Sequence, residues 1–144
     1  MGDPRQRSRK RLSSKKRLKG FTLYLCHNLD YEQLAEALRK NGIRFKRHRD
    51  YLPGDAKDTE LLRLVGKHRW ILLTFDQKQR TRTLERQLIQ QYRIRQFVFT
   101  SAQIGNVGDL LAKVNRQMRA LCSRNDGPFV YAITQEGKLR KRTL

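Results

Sequence analysis

The segment WILLTFD, Trp70 to Asp76, decides how the rest of the chain is read. Trp70 to Leu73 is an unbroken apolar run, the pattern of a strand buried on both faces of a parallel sheet. Asp76 follows at once, so its carboxylate is expected beyond the carboxyl end of that strand, where open α/β sheets collect ligands. Upstream, Asp58 is expected to cap a helix whose apolar face is Leu61, Leu62 and Val65, with Gly66 closing it. Downstream, Leu84, Leu88 and Ile89 mark a helix over about 83–92, and a strand is predicted over 96–100.

The same alternation continues in both directions. Phe21 to Cys26 is a β-prone run, and Asp30 with Gln33 three residues later reads as a capping box for a helix carrying Tyr31, Leu34, Ala35 and Leu38 on one face. Asn41-Gly42 ends that helix, and Ile43 and Phe45 alternate with basic residues in a short strand. Leu111, Val114, Met118 and Leu121 place core positions on a helix over about 107–121. Phe129 to Ile133 is a further strand, and Gln135-Glu136-Gly137 turns the chain into a last basic strand, 138–142. Strand–helix alternation of this length predicts an α/β fold: a three-layer α/β/α sandwich on a mostly parallel sheet, with a C-terminal hairpin.

The chain's 144 residues suit one domain, and its formal net charge is +20. The first twenty residues hold nine Lys or Arg against one Asp, which leaves +12 on the remainder. Two units are expected: a basic, disordered arm, 1–20, and a folded domain, 21–144, that is basic in its own right. Nucleic acid is the commonest partner of such a surface, ahead of anionic membrane. The arm reads either as a non-specific RNA or DNA contact or as a segment with no role. Cys26 and Cys122 offer neither a disulfide framework nor a CxxC zinc spacing, which suggests a reducing, cytoplasmic compartment. No apolar run has the length to span a bilayer and no secretory leader is expected, so a membrane partner is not anticipated.

Four of the thirteen acids, Asp50, Asp55, Asp58 and Glu60, lie within eleven residues of this basic chain. Such a concentration, together with Asp76, outlines an acidic site inside a cationic shell, as a metal-dependent nuclease requires. Cys26, His27, Asn28 and Thr74 are expected to line the same crevice, since the first and third strands end there. Lys78, Arg80 and Arg82 stand beside Asp76, and Arg44, Lys46 and Arg47 form a second basic stripe, both suited to gripping an RNA backbone. His48 and His68 are expected to be exposed. Tyr31, Tyr51 and Phe75 are the aromatics expected near the crevice.

LYLCHNL at the first strand, AKDTELLRL at the second helix, WILLTFDQKQRT after the third strand and the closing GPFVYAITQEGKLR, taken in this order, resemble the PIN-like domains of VapC-type toxin ribonucleases over most of residues 21–142. The resemblance implies an endoribonuclease that uses Mg²⁺ or Mn²⁺, with Asp58 and Asp76 as metal-holding, catalytic acids and Glu60 as a neighbouring candidate. It also implies RNA as substrate, an antitoxin protein as partner and a homodimer. The chain departs from the pattern at the first strand, where the usual acid is replaced by Cys26, and a thiol is a poor substitute for a carboxylate on a hard cation. An alternative therefore stays open, a catalytically impaired PIN-fold protein that binds nucleic acid or a protein partner without cleavage. Each acid also has a reading independent of metal: Asp58 as a helix cap, Glu60 as a dipole-favoured acid in the first helical turn, and Asp76 as a solvated loop residue.

Overall fold

The computed structural model describes residues 21–75, 82–100 and 107–144. Six strands alternate with four helices: β1 (Thr22–Leu25), α1 (Glu32–Lys40), β2 (Arg44–Arg47), α2 (Asp58–His68), β3 (Ile71–Thr74), α3 (Thr83–Gln91), β4 (Arg95–Phe99), α4 (Val107–Arg124), β5 (Phe129–Ile133) and β6 (Leu139–Arg142). They build one sheet in the order β2-β1-β3-β4-β5-β6. The first five strands run parallel and only β6 pairs antiparallel, so the predicted α/β architecture with its closing hairpin is the one observed.

Because successive strand residues face opposite sides, the apolar runs feed two separate cores. Leu23, Leu25, Ile71, Leu73, Phe97 and Phe99 pack on one side with Leu34 and Leu38 of α1 and with Leu111, Val114 and Met118 of α4. Tyr24 and Leu72 point the other way, against Leu61, Leu62 and Val65 of α2 and Leu88 and Ile89 of α3. Strand β3 is buried along its whole length, as the unbroken run ILLT requires of a strand covered on both faces. Truncating Leu73 in this setting would cost about 2–5 kcal/mol.

Four local expectations are corrected. Asp30 does not cap α1: Tyr31 occupies the N-cap with no side-chain bond, because Asp30 is taken up by two arginines from across the sheet edge. Asp58 is the first residue of α2 rather than its cap, which is Lys57. Gly66 does not close α2; the helix runs on to His68 and ends at Arg69 in the left-handed region, φ 55°. Gly66 is there for clearance, since a Cβ on it would come within 2.5 Å of the Cβ of Tyr92. Leu84, expected on the buried face of α3, is 52% exposed and stands one turn ahead of the point where the core begins at Leu88.

Among the described residues no helix is long and apolar enough to cross a membrane. Both cysteines are free thiols.

Candidate functional site

Strands β1 and β3 are neighbours and parallel, so their carboxyl ends emerge side by side. Beyond them lies a cavity of about 190 Å³, lined by Cys26, His27 and Asn28 after β1, by Thr74 and Phe75 at the end of β3, and by Asp58 at the start of α2. The crevice expected from the sequence is therefore formed by the three expected segments. His48, Gly54, Ala56 and Leu61 complete its wall.

Its acid content differs from expectation. Among the described residues Asp58 is the one acid that lines it; Asp50, Asp55 and Glu60 are exposed and lie outside the lining. Glu60 follows Asp58 by two positions on a helix of about 3.6 residues per turn, roughly 200° around the axis, so the two carboxylates cannot face the same hollow. Asp76, Lys78 and Arg80 lie outside the described residues, as does the arm 1–20. The described residues hold no group of three or more His, Cys, Asp or Glu able to bind a metal ion.

Arg82 Nη1 donates to Asp58 Oδ2 at 3.2 Å, with the two side chains 46% and 41% exposed. A pair this open is worth about 0–1 kcal/mol in stability, but it sets a cation beside the carboxylate at the crevice mouth. Burial pushes the Cys26 thiol above its ordinary pKa, although main-chain bonds from Asn28, Leu29 and Phe75 work in the opposite sense. Cys26 thus presents a protonated, apolar-packed sulfur where a hard cation would need an anionic oxygen. The donor set of the described residues is a poor fit to Mg²⁺ or Mn²⁺: a single carboxylate, already partnered by an arginine, with a thiol at the end of β1 and only the neutral oxygens of Asn28 and Thr74 besides.

His48 was expected at the surface and is only 2% exposed. Its Nε2 donates to the Pro53 carbonyl at 2.9 Å, which leaves Nδ1 to accept from the Tyr24 hydroxyl at 2.8 Å. With both nitrogens engaged, the ring is a wall of the crevice and a brace for it. The His27 ring, exposed, stands 5.6 Å from it at 67°. Gly54 permits this approach, since a Cβ there would lie 3.2 Å from His27 Cε1.

What fixes His48 is the buried acid on the far side of β1. Asp30, its side chain 3% exposed, accepts from Arg47 Nε at 2.7 Å and from the Arg49 amide at 2.9 Å, so the residues on either side of His48 are tied to one carboxylate. Burial would raise the Asp30 pKa, but bonds from the Arg49 amide and from the Arg47 and Arg49 guanidinium groups outweigh it and hold the carboxyl below the usual range. Arg47, expected to grip RNA, is committed instead to Asp30 and Glu32 and only 14% exposed. Arg44 is exposed on edge strand β2, while Lys46 lies 6.0 Å from the centre of the Trp70 ring.

Of the three aromatics expected at the crevice, Phe75 lines it. Tyr31 lines a different hollow, of about 750 Å³, between α1 and the start of α4. Tyr51, 40% exposed, packs edge-on to Tyr24 and Trp70. Beneath the crevice wall, on the side of Thr74, the Gln96 amide donates to the Thr74 hydroxyl at 3.1 Å, a buried polar bond between β4 and β3.

Comparison with curated proteins and with solved structures finds no match. The family model described as a PIN like domain matches residues 26–101, from the end of β1 to just past β4, and so takes in each segment that lines the crevice. With more than half of the chain inside that match, and with the parallel sheet and strand-end crevice in place, the chain belongs to the PIN-like domain family.

Proposed function

We propose that this PIN-like protein binds RNA across the crevice at the ends of β1 and β3, without efficient metal-dependent cleavage. The family suggests a nuclease-type superfamily, and the charge of +12 on residues 21–144 supports a polyphosphate partner. The observation that carries the reading is the crevice's donor set: among the described residues one carboxylate, Asp58, beside Arg82, and a thiol at Cys26. Such a site can take a phosphate by Arg82 exchanging Asp58 for it, whereas a hard cation would find one carboxylate there, with only the neutral oxygens of Asn28 and Thr74 beside it.

A second reading is a toxin-type endoribonuclease, with Mg²⁺ or Mn²⁺ held between Asp58 and Asp76. It is favoured by one feature: Phe75 lines the crevice, and Asp76 is the next residue in the chain. In that reading an antitoxin protein and a second copy of the chain would be partners in the cytoplasm.

Fluorescence anisotropy of a labelled single-stranded RNA, titrated with the full chain over a series of salt concentrations, tests the binding claim. Affinity should fall steeply with salt, and it should be the same in EDTA as in Mn²⁺. Absence of binding at low salt would overturn the proposal. Binding that appears only with Mn²⁺ would move the balance to the second reading.

A further inference from the structure

On the α2 side of the sheet, at the margin next to β2, three rings are stacked outward from the core. Tyr24, fully buried, lies parallel to Trp70, with ring centres 5.7 Å apart and planes at 8°. His68, exposed at the end of α2, continues the stack on Trp70 at 4.3 Å and 12°. Tyr51 meets Trp70 edge-on at 4.9 Å and 68°. Tyr24 and Lys46 are register partners on β1 and β2, so Lys46 shares this face and brings its ammonium over Trp70.

The setting is unusual for core aromatics. Trp70 is partly buried, Tyr51 is 40% exposed, and the exposed Lys67 stands next to His68 in sequence, while the Arg49 and Arg69 guanidinium groups are held by Asp30 and by main-chain carbonyls. The exposed rings of His68 and Tyr51, backed by Trp70 and with a lysine ammonium beside them, match the chemistry of single-stranded nucleic-acid sites, where bases stack on aromatic faces and cations follow the backbone. The stack is also joined to the crevice: the hydroxyl of Tyr24 bonds His48, which lines it.

We propose that His68 and Tyr51, backed by Trp70 and with Lys46 beside it, form a base-stacking contact for single-stranded RNA on the flank of the domain, separate from the crevice and holding the strand that runs to it. The proposal rests on the RNA-binding reading above. A protein partner docking on the same rings is the competing occupant; the Lys46 ammonium over Trp70 and the exposed Lys67 favour the polyanion.

Trp70 is the chain's one tryptophan, so its emission reports this place and no other. Unlabelled oligouridylate is titrated into the full chain while Trp70 emission is read, and a labelled copy of the same oligomer gives total binding by anisotropy. Quenching of Trp70 in step with the anisotropy is expected. Tyr51→Ala and His68→Ala, both at exposed positions, should each weaken binding by about tenfold while the salt dependence stays that of wild type. If the oligomer binds but Trp70 emission does not change and both variants bind like wild type, the stacking contact is wrong and the RNA-binding reading survives. If inorganic polyphosphate quenches Trp70 equally, charge alone is responsible and base stacking is overturned. If anisotropy shows no binding even at low salt, both readings fall together.

Discussion

Replacing Asp30 by Asn tests the link between the buried ion pairs and the crevice. The carboxylate is 3% exposed and bonds Arg47 and Arg49, the residues on either side of His48. Breaking a buried pair by removing one partner costs about 3–5 kcal/mol. Arg47 would keep Glu32 at 2.9 Å, and Arg49 is 59% exposed and can return to water, so the lower end, about 3 kcal/mol, is expected. The sign of the pH dependence follows from the depressed pKa of Asp30. Its contribution is complete above the unfolded-state value of about 3.9 and is lost as pH falls through the lower folded-state value. Urea unfolding of wild type and variant, followed by Trp70 fluorescence, should therefore show a gap that is constant near neutrality and closes on acidification. A gap under about 1 kcal/mol, or one unchanged down to strongly acid pH, would refute the role given to Asp30.

Three further outcomes are expected. Gly66→Ala should lose about 1–3 kcal/mol by thermal denaturation, because the added Cβ meets Tyr92 at 2.5 Å; a neutral or stabilising result would mean that α2 and the Tyr92 segment can part cheaply. Leu84→Ala should change stability by less than about 0.5 kcal/mol in the same assay, since the side chain is 52% exposed, whereas Leu88→Ala should cost about 2–5 kcal/mol. Cys26→Asp places a carboxylate where main-chain groups of Asn28, Leu29 and Phe75 already bond the thiol, and isothermal titration should show Mn²⁺ affinity absent from wild type; equal affinity in both would mean that residue 26 does not face the ion.

The sequence made the architecture readable because its apolar runs match the burial of the strands so closely. ILLT of β3 and FVF of β4 leave little freedom for any other assignment, and Phe129–Ile133 was bounded without error. The crevice was legible too, since topology alone carries residues 26–28 and 74–75 to one end of the sheet. What local pattern could not show was who would claim each charge. Asp30 has the spacing of a helix cap, but two arginines nineteen or fewer residues away compete for it and win with charge-assisted bonds. His48 sits in the basic run RFKRHRD, where no periodicity signals burial; its place depends on Tyr24 and Pro53, which only the fold brings near. The aromatic stack was hidden for the same reason, because Trp70 read as the first residue of a buried strand and His68 as a solvated one. Of the acids at 50–60, only Asp58 lines the crevice, and helical rotation turns Glu60 away from it.

The central claim is that the crevice holds RNA without a working hard-cation centre. Its most direct test is a denaturing gel of end-labelled single-stranded RNA incubated at low salt with excess full chain and Mn²⁺, beside the same mixture in EDTA. The account predicts full-length RNA in both lanes. Fragments that require Mn²⁺, and that disappear in both Asp58→Ala and Asp76→Ala, would contradict it.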